Sequence, residues 1–160
     1  MVPFVYPFLL LAGAGLILSA ISHVCGLMGV PGPLGDRVWF LHMGIFVVWI
    51  PAVLAALRLT GKVPRKDFWK AALRGCPPWM RYGAFGLFCY ALLSFAFFML
   101  TSGTARNSNG PMPWAVVRAF SGHWMIFYGA AFAILYSFVR CGDANRIGPR
   151  GSSNGESRGS

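Results

Sequence analysis

Three histidines, His23, His42 and His123, are the residues of this chain whose type and placement could do chemistry. His42 and His123 sit inside long apolar runs, and His23 closes another. A neutral imidazole nitrogen ligates metal ions and haem iron. An ionisable side chain within a membrane span is costly, and tends to face a bundle interior or a wet cavity. At 1.5 Å per residue, His42 lies about 6 Å from the start of its run and His123 about 9–13 Å from the start of its own. All three therefore fall towards one side of a bilayer. The local sequences are His42-Met43-Gly44 and Ser121-Gly122-His123-Trp124. Gly15, Ser19 and His23 follow each other at intervals of four and share a helix face. Small residues there let a neighbouring helix approach closely, or leave room for a flat cofactor.

Three functions fit this constellation. In the first, His42 and His123 bind a b-type haem axially and the chain is an electron-transfer subunit. Arg118, five residues before His123, would then meet an anion such as a haem propionate; otherwise it reaches towards the headgroups. In the second, the chain is an accessory subunit of a larger membrane complex, and its histidines only hydrogen-bond between helices. In the third, His23, His42 and His123 hold copper or zinc, with sulfur from Cys25, Met28 or Met43 favouring copper. The apolar runs hold no Asp or Glu. That argues against a pump, a proton relay or a general-base enzyme, which need a buried carboxylate. No Cys-x-x-Cys-His or His-Glu-x-x-His motif is present.

The elements that must position these residues follow from hydropathy. Of the 160 residues, 56% are hydrophobic and 11% charged, against about 25% charged in soluble domains. Four runs are long enough to cross roughly 30 Å of hydrocarbon: about 4–24, 38–57, 82–100 and 114–139. In lipid such runs must be helices, because an unpaired backbone amide costs several kcal/mol. Gly29-Val30-Pro31-Gly32-Pro33 ends the first run, and Pro51 should kink or loosen the second. Cys76-Pro77-Pro78 precedes the third, and the polar stretch 102–110 precedes the fourth. The fold expected is all-α: an integral membrane four-helix bundle with mostly antiparallel neighbours over residues 1–140. A disordered, Gly/Ser/Arg-rich cytoplasmic tail is expected over 141–160.

Charge sets the expected orientation. Eleven of the 14 Lys and Arg residues fall between the second and third runs or at the C-terminal end, and three, Arg37, Arg106 and Arg118, on the other side. The positive-inside rule places both termini in the cytoplasm, with the histidines in the outer half of what reads as a bacterial inner membrane. The same asymmetry explains the net charge of +10 without nucleic acid: a basic rim attracts anionic lipid. The expected partners are thus the lipid bilayer and other membrane subunits. Between Arg65 and Arg74, Lys66, Lys70 and Arg74 form a polar stripe opposite Phe68, Trp69, Ala72 and Leu73. This predicts a short amphipathic helix in the interface. The four cysteines are scattered over both sides and one span, which predicts free thiols.

Overall fold

A computed structural model describes residues 2–61, 63–101 and 114–147 of the chain. These residues are helical throughout, apart from the turns and short links between helices. A 3-10 turn at Val2–Val5 leads into α1, Tyr6–Met28. Gly29 closes α1 in the left-handed region at φ 66°, its N–H donating to the Cys25 carbonyl. That conformation suits a residue without a Cβ. A second 3-10 turn, Gly35–Val38, feeds α2, Trp39–Thr60, which runs unbroken through Pro51. The 3-10 turn Arg65–Asp67 and the five-residue α3, Phe68–Ala72, connect α2 to α4, Pro78–Thr101. The last helix is α5, Trp114–Ile147. The polar stretch 102–113 lies outside the described residues.

Four of these helices are long and apolar enough to cross a membrane: α1, α2, α4 and α5. They do not share the interior equally. Half of the most apolar window of α5 is buried, against 6% in α4, so α5 is the hub. The other three each pack against it, and α1 also touches α2. The core gathers Ala12 of α1, Leu41, Ile45, Val48 and Ala52 of α2, and Trp124, Tyr128, Ala131 and Leu135 of α5. Contacts fix the directions. The end of α1 meets the start of α5 through His23 and Arg118, so these two are antiparallel. The start of α2 meets the first half of α5 through His42 and Trp124, so this pair is parallel. One main interface is therefore parallel where a simple up-down bundle would have been antiparallel throughout.

Close approach depends on two glycines facing one tyrosine. Tyr128 lies between α1 and α2. A Cβ at Gly15 would overlap its ring, and a Cβ at Gly44 would overlap its hydroxyl. That hydroxyl donates to the Leu41 carbonyl at 2.8 Å.

Three expectations change in detail. Helix α5 continues to Ile147, so residues 141–147 of the expected tail are helical. The stretch Cys141–Ile147 holds Gly142 but no proline, and the next Gly-Pro pair comes at 148–149, outside the described residues. Helix α4 begins at Pro78 rather than near Tyr82, because proline is at home in the first turn of a helix. The amphipathic segment is helical only over α3. Its Ala72 is fully buried, and Phe68 and Leu73 pack against the core, so it is docked onto the bundle and not merely laid beside it.

Candidate functional site

Two polar clusters lie at the end of the bundle where α1 ends and α2 and α5 begin. The first centres on His23, which is buried. The face of α1 that carries it reads Ala12, Gly15, Ser19, Ser22, His23 and Gly26, and small side chains at these positions bring α1 close to α5. A Cβ added at Gly26 would lie 3.3 Å from the Arg118 backbone. His23 Nδ1 is 3.1 Å from the Arg118 carbonyl and 3.0 Å from Ser121 Oγ. A carbonyl only accepts, so Nδ1 carries the proton. Nε2 of the neutral ring then accepts the Tyr90 hydroxyl proton of α4, at 2.6 Å. Ser121 Oγ also donates to the Arg118 carbonyl, at 3.0 Å. One imidazole thus ties α1 to α4 and α5 at once, with both ring nitrogens occupied.

The second cluster is aromatic. The indole Nε1–H of Trp124, itself almost fully buried, donates to His42 Nδ1 at 3.2 Å. Trp39 packs edge-on against His42, with ring centroids 6.0 Å apart, and against Phe120 at 5.3 Å. Phe46 closes the other side of His42 at 6.1 Å. His123 makes no hydrogen bond among the described residues, but it lies near enough to His42 for the two to interact electrostatically. It is exposed on α5, with Phe127 4.7 Å away as its ring neighbour.

These placements bear on how the histidine nitrogens are used. An iron- or zinc-bound histidine presents a bare nitrogen to the metal and donates its other N–H to a carbonyl or carboxylate. In His42 the polarity is reversed. Trp124 can only donate, so Nδ1 is the acceptor, Nε2 holds the proton, and no lone pair is left for a metal. His23 has both nitrogens engaged within the chain. His23 and His42 are thus engaged within the chain, and this arrangement lends no support to the haem or metal readings. Among the described residues, no group of three or more His, Cys, Asp or Glu side chains could hold a metal ion. Arg118 serves His23 through its main-chain carbonyl, and its half-buried side chain is placed near the same end of the bundle. Cys25, Cys76, Cys89 and Cys141 are free thiols.

Sequence reasoning singled out all three imidazoles but missed their partners. Tyr90, Ser121 and Trp124 carry the hydrogen bonds, and Tyr128 with Gly15 and Gly44 carries the packing. Two buried hydroxyls, Ser19 Oγ and Ser22 Oγ, have no hydrogen-bond partner among the described residues. Beside Ser22 is a cavity of about 20 Å³ lined by Gly32, Leu34, Gly35, Val38 and Val117, room for one water molecule. No protein-family model, curated protein or solved structure matches the chain.

Proposed function

We propose that this chain is a non-catalytic subunit of a membrane complex, its polar side chains holding helices to α5 and its helix α4 meeting a transmembrane helix of another protein. The observation that carries the reading is α4 itself. Its main packing partner is α5. Gly83 and Gly86 lie on its outward side, where an added Cβ would meet nothing within 4 Å. Glycine in a helix costs up to about 1 kcal/mol relative to alanine. Small residues on a membrane helix allow close approach of a second helix, and among the described residues nothing approaches these two glycines so closely. Leu93, 72% exposed, falls on the same side at helical spacing. The engagement of His23 and His42 within the fold supports the non-catalytic part.

A photo-crosslinking amino acid at Leu93 tests this in native membranes, with one at Phe40 of α2, also 72% exposed, as the control. The expected result is a discrete protein adduct from Leu93 that is lost in Gly83→Ile/Gly86→Ile, with lipid adducts alone from Phe40. Lipid adducts alone from both positions would overturn the proposal. His42→Ala and His123→Ala should leave the adduct in place. The purified chain, expressed with haem supplied, should show no Soret band.

A further inference from the structure

We propose that the connection between α2 and α4 forms a fixed platform that binds the headgroup of an anionic phospholipid. Between Arg65 and Arg81 the chain carries five basic residues and one acidic residue, Asp67. The exposed Lys70 and Asp67 pair with each other at 3.5 Å. Arg81 donates through Nη2 to the Arg74 carbonyl at 2.9 Å and through Nε to the Cys76 carbonyl at 3.1 Å. It therefore keeps its charge while holding the loop in shape. Arg65, Lys66 and Arg74 are exposed and have no ion-pair partner among the described residues. A cluster of unmatched positive charge calls for an anion.

The platform is anchored rather than loose. The Gly75 N–H donates to Ser137 Oγ at 2.9 Å, and the Cys76 thiol to the Ala133 carbonyl at 3.1 Å. A Cβ on Gly75 would lie 2.7 Å from the Ser137 carbonyl oxygen, so the loop is seated directly on α5. Preorganised charge binds without first ordering a flexible segment. What marks the anion as a lipid and not a soluble phosphate is the neighbouring surface. Trp69, Trp79 and Tyr82 are 56%, 70% and 77% exposed, and Tyr82 directly follows Arg81. An aromatic rim at headgroup level that opens onto an apolar helix suits a molecule with a phosphate at one end and acyl chains at the other. This inference does not depend on α4 meeting a protein partner.

The full chain in neutral detergent is titrated with equimolar phosphatidylglycerol and phosphatidylcholine, and bound lipid is counted by native mass spectrometry. Phosphatidylglycerol should be preferred at least fivefold, about the weight of one basic side chain at an anionic surface. Arg65→Gln/Lys66→Gln/Arg74→Gln should bring the preference below about twofold, and Arg37→Gln at the opposite end should leave it unchanged. Should the triple variant lose helicity, single Arg65→Gln, which removes no side-chain hydrogen bond or ion pair among the described residues, must still lower the preference measurably. Equal binding of the two lipids, or a preference that survives both variants, overturns the proposal. So does full displacement of phosphatidylglycerol by millimolar inorganic phosphate, which would make the platform a free-anion site.

Discussion

Tyr128 and the two glycines that face it allow a test that separates a steric fit from a hydrogen bond. In Gly44→Ala the new methyl group collides with the Tyr128 hydroxyl, and the next ring atom, Cζ, is 3.6 Å away, an ordinary contact. In Gly15→Ala the collision is with ring carbons. Overpacking of this kind costs about 1–3 kcal/mol, offset by the roughly 1 kcal/mol that alanine gains over glycine in a helix. Removing the hydroxyl alone, in Tyr128→Phe, loses its bond to the Leu41 carbonyl. Such bonds between membrane helices average about 0.6 kcal/mol. Leu41 lies within α2, so its carbonyl keeps its helical donor and the cost stays at that low end. Tyr128→Phe also removes the one atom that Gly44→Ala strikes. The double variant should thus be at least as stable as Tyr128→Phe alone, with a favourable coupling of about 1–3 kcal/mol. The pair with Gly15→Ala should show none, because the ring remains. Unfolding in mixed micelles with increasing dodecyl sulfate, followed by circular dichroism, measures all five variants. Coupling below about 0.5 kcal/mol for the Gly44 pair, or equal coupling for the Gly15 pair, would refute the proposed packing.

The same assay should rank the histidines. His23→Ala removes contacts to Tyr90, Ser121 and Arg118 and should cost about 1–3 kcal/mol. His42→Ala leaves the buried Trp124 N–H without its acceptor and should fall in the same range, whereas exposed His123→Ala should lie within about 0.5 kcal/mol of the parent; a dominant effect at His123 would contradict the arrangement. Burial pushes the Cys76 thiol up to about 11, the nearby Arg81 only partly opposing it, so maleimide should label Cys76 far more slowly in the native chain than in the unfolded one near pH 8. The folded state then holds this proton more tightly than the unfolded state, so stability should fall as pH rises from about 9 to about 11, and Cys76→Ser should remove that slope. Gly75→Ala should weaken the docking of the loop on Ser137 and cost at least about 1 kcal/mol, whereas Gly83→Ala and Gly86→Ala, facing open space, should be neutral or stabilising by up to about 1 kcal/mol.

The four apolar helices were legible because the demand behind them is local: about twenty consecutive residues without charge leave the backbone no option but a helix if they lie in lipid. Their ends were legible where the chemistry is local too, as at Gly29. They shifted where a residue usually read as a breaker is at home. Pro78 can start a helix, and Pro51 lies inside α2 without interrupting it. The central place of α5 was not legible. Hydropathy separates a membrane helix from a soluble one but hardly distinguishes its faces, because lipid and a neighbouring helix are both apolar. The clue was the row of small residues on α1, Gly15, Ser19, Ser22 and Gly26, whose packing against Tyr128 and the Arg118 backbone only the fold reveals.

The histidines show the same limit for chemistry. Depth along a helix can be counted from sequence, and it places His23, His42 and His123 towards one end of the bundle. What an imidazole can do there depends on which atom meets each nitrogen, and that is set by helix rotation. His42 lies beside an indole that can only donate, and His23 lies between a carbonyl that can only accept and a hydroxyl. Opposite partners at Nδ1 thus give the two rings opposite tautomers. Both nevertheless serve one end: each accepts from an aromatic N–H or O–H, joining α2 to α5 in one case and α4 to α1 in the other. An imidazole nitrogen with a free lone pair can accept such a bond without placing a carboxylate in the interior. Shared depth among histidines in a membrane chain is thus as well explained by the need to satisfy aromatic donors on neighbouring helices as by a shared ligand, and the direction of each hydrogen bond helps to separate the two.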